Sequence, residues 1–286
     1  MGNRKTKAIF FMLISSFSFS VMQIFVKLSA AEVGTFEQTF FRNLISMIIA
    51  AVMIYREHRP VFPEIRKGSW ALWGRSFFGF LGIVLFFYAA GSARQADVAM
   101  LNRSAPVFVT LFAGIFLKEK ITPVKIASTA LCLTGAYIAM QPSFASNPFP
   151  LLAALLAAVV SGIAYTMLSY CKNQVRPSVI ILHFSALSTV CAAVMMVPSF
   201  VMPSPKTLFM LLMIGVFAAV GQFLLTYAYQ QAPASEVSIY QYSGVVFTAI
   251  LSCLVLNESL PVSSVAGGVI ILAGIFWVFE HHKREK

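Results

Sequence analysis

Charged residues are scarce in this sequence. Only 11% of its 286 residues are Asp, Glu, Lys or Arg, whereas a soluble globular protein carries about 25%. Negatively charged residues are rarer than positively charged ones, with 10 Asp and Glu against 21 Lys and Arg. A chain that is also 59% hydrophobic cannot cover itself with a hydrated surface, so lipid must be the solvent for much of it.

The usual motifs of enzyme chemistry are also missing. The sequence contains no Gly-rich phosphate loop, no HExxH and no GxSxG. Its four cysteines, Cys132, Cys171, Cys191 and Cys253, lie far apart, which excludes metal-site spacings and indicates buried thiols rather than disulfides. We therefore predict no enzyme activity, no metal and no cofactor.

Apolar windows, by contrast, are abundant. Each is close to the roughly 20 residues that a helix needs to cross about 30 Å of hydrocarbon. Short connections with turn residues such as Pro123, Pro177 and Pro261 separate them. The predicted spans, numbered 1 to 10 in chain order, are residues 8–29, 35–55, 69–91, 96–117, 121–140, 149–170, 177–198, 207–230, 234–256 and 260–280. The predicted fold class is an all-α integral membrane protein with ten transmembrane helices.

The positions of Lys and Arg predict the orientation of these spans, because cytoplasmic loops are enriched in both. An amino terminus in the cytoplasm puts 15 of the 21 on that side: Arg4, Lys5, Lys7, Arg56, Arg59, Arg66, Lys67, Lys118, Lys120, Lys125, Lys172, Arg176, Lys283, Arg284 and Lys286. We expect a cytoplasmic (inner) membrane protein with both termini cytoplasmic. Its positive charge serves topology and predicts no nucleic-acid partner. Arg75, near the inner end of span 3, is expected to snorkel.

An internal repeat organises the chain. When the sequence is shifted by 139 residues, residues 88–135 overlie residues 227–274 without a gap. The matched pairs include Tyr88 with Tyr227, Ser104 with Ser243, Leu117 with Leu256, Glu119 with Glu258 and Gly135 with Gly274. Each half, residues 1–140 and 141–286, contains five spans. Since five is odd, the second half enters the membrane from the opposite side, which predicts two inverted five-helix repeats.

Two segments carry a family resemblance. "QADVAMLNRSAPVFVTLFAGIFLKEKIT" resembles the fourth span of the EamA group of the drug/metabolite transporter superfamily, and "ASEVSIYQYSGVVFTAILSCLVLNESLP" resembles its ninth. The resemblance implies a carrier of small organic metabolites in the cytoplasmic membrane. Arg103 and Val245 depart from the family pattern, in which an apolar or small residue and often a second Pro stand there. These departures bear on substrate rather than fold.

Three cations are predicted in the outer half of the membrane. Arg42 in span 2 and Arg103 in span 4 each lie seven residues from the outer boundary, so about 10 Å deep, and Lys27 lies near the outer end of span 1. A charge at this depth must face water or a partner. Arg103 either binds an anionic substrate group or serves structure and gating. In the second case cross-pairs form, Glu37 with Arg103 or Asp97 with Arg42.

Neutral polar and aromatic residues are predicted to line the inner half. The candidate substrate-binding residues there are Tyr165, His183, Tyr229, Tyr240, Gln241 and Tyr242. The matched pair Arg103 and Tyr242 breaks the symmetry of the repeat. His183 has either a structural role or a role in substrate or proton handling, and the tyrosines either stack on a substrate or form an interfacial belt.

Two further features concern the cavity wall. Ser16, Ser20, Gln23 and Lys27 share one face of span 1, where they either join helices or line a wet cavity. Pro106 removes a hydrogen bond to Asn102, which predicts a broken turn beside Arg103. Asn102 and Gln23 complete the predicted binding set.

The function predicted from these residues is alternating-access transport of a small anionic or zwitterionic metabolite, such as an amino acid or a carboxylate. The alternative is export of hydrophobic or cationic drugs, with the arginines locked in structural or gating pairs. No carboxylate is predicted near mid-membrane, so coupling through a central acid is not indicated. Gly267, Gly268 and Gly274 have two candidate uses, a homodimer contact or close packing against span 9.

Overall fold

The structure is a computed structural model that describes residues 2–145, 147–257 and 259–284. Ten helices in it are long and apolar enough to cross a membrane, and no strand occurs in this part of the chain. All ten predicted spans are confirmed. In order, spans 1 to 10 are Arg4–Ser29, Thr35–Glu57, Ser69–Ser92, Gln95–Phe116, Pro123–Met140, Pro148–Tyr170, Pro177–Ser199, Pro205–Gln231, Ala234–Leu256 and Val262–His281. Glu258 and Lys286, used above for the repeat and the charge balance, lie outside the described residues, as do the side chains of Lys283 and Arg284.

Proline and short polar residues set where the spans begin. Spans 5 to 8 each start on a proline, whose missing N–H costs nothing in the first helical turn. Thr122, Asn147 and Ser204 stand just before three of these prolines, and each side chain accepts a hydrogen bond from a backbone N–H of the first turn. A short additional helix, Phe62–Lys67, connects spans 2 and 3 and was not predicted.

The packing of the spans follows a simple exchange rule. Span 1 packs on span 8 and span 3 on span 6; span 4 packs on span 6 and span 9 on span 1. Spans 2 and 7 pack on each other, as do spans 5 and 10. Replacing every span by the one five places away leaves this set of contacts unchanged. The arrangement is consistent with the predicted inverted repeat.

Spans 4 and 9 are both interrupted at matching positions. In span 4, helix Gln95–Asn102 ends, and Arg103 and Ser104 form a turn before helix Ala105–Phe116. In span 9, residues Ser238–Tyr242 adopt a 3-10 conformation before helix Ser243–Leu256. The break predicted at Pro106 is therefore present, but span 9 breaks without a proline. The feature common to both breaks is a serine hydroxyl that donates to the carbonyl three residues earlier, Ser104 to Leu101 and Ser243 to Tyr240.

Glycines bring spans 5 and 10 into backbone contact. A Cβ placed on Gly267 would lie 2.3 Å from the carbonyl oxygen of Gly135, and one on Gly274 would lie 2.7 Å from Sγ of Cys132. The prediction that these glycines pack against span 9 is wrong for both, because span 5 approaches more closely. Only Gly268 faces span 9, with Val246 at 3.8 Å from the same built position. Since Gly267 and Gly274 are used inside the molecule, they are no evidence for a homodimer, which stays a prediction.

Candidate functional site

Three arginines from the first half of the chain meet one tyrosine from the second. Arg42 of span 2, Arg75 of span 3 and Arg103 at the break of span 4 each lie within electrostatic range of Tyr165 on span 6. Arg42 and Arg103 were predicted to belong to a site with Tyr165, and the structure brings these three residues together. We refer to the following group as the arginine–tyrosine cluster: Arg42, Arg75, Arg103, Tyr165, Tyr229 and Tyr242.

Arg75 is the member that sequence reasoning missed. Its guanidinium carbon lies 4.3 Å from the ring centroid of Phe184 and 5.8 Å from that of Tyr165, and the residue is 3% exposed. The prediction that Arg75 snorkels to the interface is therefore wrong. Gly79, one turn further along, supplies the space, since a Cβ there would lie 2.1 Å from Nη1 of Arg75. In the sequence, the one sign that Arg75 points inward is the glycine one helical turn later, Gly79, which leaves room for its side chain.

Arg103 joins the two interrupted spans. Its Nη1 lies 3.5 Å from the position that a Cβ on Gly244 would take, and the same position is 3.8 Å from Ser16 of span 1. Arg103 is also within electrostatic range of Tyr242, which ends the 3-10 segment of span 9. The break of span 4 therefore presents its guanidinium to the break of span 9. Asn102, immediately before it, is half-buried.

Stacked tyrosines form the wall opposite the arginines. The rings of Tyr165 and Tyr229 lie 5.3 Å apart with an interplanar angle of 11°. The backbone carbonyl of Tyr229 accepts a hydrogen bond of 2.9 Å from the hydroxyl of Ser169, and its own hydroxyl accepts one from the Gln241 amide. Tyr229 is fully buried, so the stack is held rigidly from behind.

Two further tyrosine hydroxyls are buried without a hydrogen-bond partner in the part of the chain that the structure describes. Tyr240 and Tyr242 are each 1% exposed, and neither hydroxyl makes a hydrogen bond there. Buried polar groups are normally satisfied by protein or ordered water. The hydroxyl of Tyr242, on the Arg103 side of the cluster, is consequently a donor available to a bound molecule.

The arginines of the cluster lack an anionic partner among the described residues. The ion pairs found there lie elsewhere: Lys5 with Glu236, and Arg176 with Glu57 and Glu64. Within those residues no carboxylate oxygen comes within 4.0 Å of a guanidinium nitrogen of Arg42, Arg75 or Arg103. Nor do three His, Cys, Asp or Glu side chains converge there on a metal-binding arrangement.

The predicted gating carboxylates accept hydrogen bonds from loops and do not pair with Arg42 or Arg103. Asp97 accepts a 2.8 Å hydrogen bond from the backbone N–H of Ser143, and Glu37 accepts one of 3.5 Å from that of Val201. The structure forms neither of the two predicted cross-pairs, Glu37 with Arg103 and Asp97 with Arg42. The reason is position: both acids stand in the first turn of their spans, where the loops reach them first.

His183 lies apart from the cluster. Its Nδ1 is 2.7 Å from the hydroxyl of Ser76, and its ring meets Trp73 edge-on at 4.5 Å. Trp73 is 56% exposed, so this contact belongs to the periphery of spans 3 and 7. The neighbouring residue Phe184 points to Arg75 instead, because successive residues of a helix point about 100° apart.

The polar face of span 1 changes character along its length. Ser16 and Ser20 are buried, and the hydroxyl of Ser20 donates to the carbonyl of Gly244 at 3.1 Å, which joins spans 1 and 9. Gln23 and Lys27, on the same face, are exposed. The polar face of span 1 is therefore buried in mid-span and exposed towards the end of the span.

A network of hydrogen bonds joins the spans at the end of the molecule where span 1 begins. The Glu119 carboxylate accepts hydrogen bonds from the backbone N–H groups of Ala234 and Ser235, at 2.7 and 3.0 Å, and from the Ser235 hydroxyl at 2.6 Å. Lys125 donates to the same hydroxyl, and Lys5 pairs with Glu236 one residue further on. We call the contact of Glu119 with Ala234 and Ser235 the Glu119 latch. It ties the end of span 4 to the beginning of span 9.

Comparisons with known proteins agree with this architecture. The sequence model of the EamA-like transporter family matches residues 6–141 and 148–280. The pseudopaline exporter CntI of Pseudomonas aeruginosa (strain UCBPP-PA14) is 31% identical over 263 residues, 91% of each chain. The S-adenosylmethionine uptake transporter of Rickettsia bellii (strain RML369-C) is 25% identical over 280 residues, 95% of this chain and 93% of that one.

Two further similarities support the same fold. Human solute carrier family 35 member G1 is 27% identical over 283 residues, which cover 93% of this chain and 76% of that protein. A solved crystal structure superposes with a TM-score of 0.80 at 15% identity and covers 98% of this chain and 99% of its own. The family match spans nearly the whole sequence. The chain therefore belongs to the EamA-like transporter family, and it is a multi-pass membrane transporter rather than an enzyme.

Proposed function

We propose that this transporter moves a small anionic or zwitterionic organic metabolite across the cytoplasmic membrane by alternating access, with both termini in the cytoplasm. The observation that carries the proposal is the arginine–tyrosine cluster, in which three arginines lie within electrostatic range of one tyrosine and have no ion-paired carboxylate among the described residues. The excess of Lys and Arg in the loops supports the orientation.

The electrostatics of the cluster support an anionic cargo. An unpaired charge inside a membrane protein costs at least a few kcal/mol of free energy of insertion. Such a charge is therefore expected at a functional site. Arg75 recovers part of this cost through the two aromatic rings that it contacts. Arg42 and Arg103 have no comparable contact, so a bound anion would supply the missing countercharge. Guanidinium can hold a carboxylate or phosphate by two parallel hydrogen bonds, which ammonium cannot.

The names of the relatives support a metabolite as the cargo. They do not favour import over export. One relative is named for export of pseudopaline and another for uptake of S-adenosylmethionine. The fold is thus compatible with either direction, and the substrate must be argued from the site of this chain.

Transport by purified protein in liposomes tests the proposal. Radiolabelled amino acids, carboxylates and organic cations are offered in parallel, and we expect uptake of members of the first two groups. Arg103→Ala should reduce this uptake at least tenfold while the amount of protein in the liposomes stays the same, since one bidentate charge pair is worth more than about 1.4 kcal/mol.

Arg66→Ala is the matched control, because Arg66 is exposed on the short helix outside the spans and should transport normally. Uptake of hydrophobic cations alone, unaffected by Arg103→Ala, would contradict the proposal and favour the alternative, a drug exporter whose arginines are structural.

A further inference from the structure

We infer that the substrate carries two anionic groups, of the carboxylate or phosphate type, one held by Arg103 with the Tyr242 hydroxyl and the other by Arg42. This inference rests on the proposed function, which it narrows: a monoanion or a zwitterion would not satisfy the site. The inference has two grounds. A bound molecule can contact two of the three arginines of the cluster, and neither of these two has a carboxylate partner among the described residues.

Two of the three arginines keep part of their surface exposed. Arg42 and Arg103 are half-buried, whereas Arg75 is 3% exposed and is covered by the rings of Phe184 and Tyr165. Arg75 therefore acts as a positioning residue, which holds Tyr165 and adds positive potential behind it. A substrate touches the two arginines on spans 2 and 4.

The accessible arginines need separate countercharges. Both lie within electrostatic range of Tyr165, but they stand on different spans, and neither has an ion-paired carboxylate among the described residues. A single anionic group bound to one of them would leave the other uncompensated. A zwitterion would be worse, because its ammonium group would approach the second guanidinium and be repelled. Two anionic groups on one molecule neutralise both.

The Arg103 end contains an additional donor. Tyr242 is 1% exposed, its hydroxyl has no partner among the described residues, and it lies within electrostatic range of Arg103. An oxygen bound to Arg103 could accept a hydrogen bond from this hydroxyl. The tyrosine near Arg42, Tyr165, is only half-buried and stacks on Tyr229. The two ends therefore differ, and a substrate with unequal ends would bind in one orientation.

The test uses matched ligands and thermal unfolding of the full chain in detergent. Dicarboxylates from malonate to adipate are compared with monocarboxylates and ω-amino acids of equal chain length, and 3-phosphoglycerate is compared with glycerate. We expect the dianion of at least one pair to stabilise the protein at a concentration tenfold or more below that of its monoanionic and zwitterionic counterparts. Either a carboxylate or a phosphate at the second position supports the inference.

Substitutions then test which residues bind each of the two anionic groups. Arg42→Gln and Arg103→Gln should each abolish the tenfold preference, so that dianion and monoanion bind alike, while Arg66→Gln keeps it. Tyr242→Phe should weaken dianion binding severalfold without removing the ring. Without ligand, Arg42→Gln should unfold at the same or a higher temperature, because an uncompensated charge has been removed; this readout separates binding loss from misfolding.

The outcomes are distinguishable from those of the proposed function. If monoanions or zwitterions bind as tightly as dianions, or if the preference survives in both arginine variants, the two-anion site is overturned although anion transport stands. If no anion of any class binds or is transported and cations are, the proposed function itself fails. A marked loss of stability in ligand-free Arg42→Gln would show a structural partner for Arg42 and would also overturn the inference.

Discussion

Glu32 illustrates how single residues hold the loops of this transporter. It lies in the connection between spans 1 and 2, and its carboxylate accepts hydrogen bonds from the Thr207 hydroxyl and from the backbone N–H and hydroxyl of Ser204. These donors, with Thr207 the largest contributor, lower the pKa of Glu32 below its usual value of 4.5. The same groups begin span 8, so an anion here also faces the positive end of a helix.

The stabilising contribution of Glu32 should therefore depend on pH. Because the folded-state pKa is lowered, the contribution is present in full above the unfolded pKa and is lost as pH falls through the folded pKa, which lies below 4.5. We expect Glu32→Ala to lower the unfolding temperature slightly near neutral pH. The gap between variant and wild type should close well below pH 4.5, as followed by thermal unfolding in detergent. The effect is small because the carboxylate is exposed.

Thr207→Val is the partner variant for this measurement. It should reproduce part of the loss in the wild-type background and add little to Glu32→Ala, because the two changes remove the same hydrogen bond. A gap between Glu32→Ala and wild type that is independent of pH would contradict the assigned role of the carboxylate.

For single residues, the sequence predicts how deep a side chain lies in the membrane but not towards which neighbouring helix it points. Arg42 and Arg103 were found because a cation seven residues inside an apolar run is conspicuous. Arg75 and His183 stand at similar depths near the other boundary, and there the prediction failed for Arg75. Span 3 is apolar on most faces, so its sequence does not indicate which side of the helix meets span 6. Only the packed structure shows that Arg75 points inward and His183 towards Trp73.

The span is the next scale, and here prediction was most successful. A run of about 20 apolar residues has few alternatives in a membrane protein, since every backbone hydrogen bond must be made internally. The exceptions are informative. The break in span 4 was predicted from Pro106, but the break in span 9 was not, because nothing in "SIYQYSGV" forbids a helix. Its equivalence to span 4 appears only in the matching hydrogen bonds of Ser104 and Ser243.

The contact between spans 5 and 10 can be tested at two adjacent glycines, Gly267 and Gly268, which differ in the space around them. Gly267→Ala should lower the free energy of unfolding by about 1–3 kcal/mol, since the added methyl group would collide with the backbone of span 5, which cannot move aside. Gly268→Ala should be neutral or slightly stabilising, because its Cβ meets only Val246 at an ordinary contact distance and alanine favours a helix.

Unfolding of both glycine variants in mixed detergent micelles measures this difference. Equal effects of the two substitutions would show that the contact between spans 5 and 10 is looser than the structure indicates. A shift in molecular mass in Gly267→Ala alone would instead assign this face to an interface between copies of the chain.

At the scale of the whole molecule, the Glu119 latch joins spans 4 and 9 on the same side as the amino terminus. In the predicted orientation this side faces the cytoplasm. Alternating access then requires the Glu119 latch to release before the cluster can face the cytoplasm.

Labelling of Cys171 should report this release. Cys171 ends span 6, is fully buried and lies within electrostatic range of Arg75. In a variant with Cys132, Cys191 and Cys253 replaced by alanine, a membrane-impermeant thiol reagent applied from the amino-terminal side should react slowly. Glu119→Ala should speed the reaction severalfold, because it removes three hydrogen bonds between span 4 and span 9.

Lys120→Ala is the control for Cys171 labelling, since its exposed side chain neighbours Glu119 but takes no part in the latch. Equal labelling rates in Glu119→Ala and wild type would show that the latch does not limit opening. Faster labelling only from the opposite side would place the Glu119 latch on the other face of the membrane.

The unmatched arginines of the first half also have an electrical consequence. A dianion bound between Arg42 and Arg103 cancels their two charges and leaves only the charge of Arg75, whereas the empty site keeps all three. Each elementary charge that crosses the field of a membrane contributes about 2.3 kcal/mol per 100 mV. Voltage should therefore act more strongly on the return of the empty carrier than on the loaded step. The membrane potential would then set mainly how quickly the transporter resets between cycles.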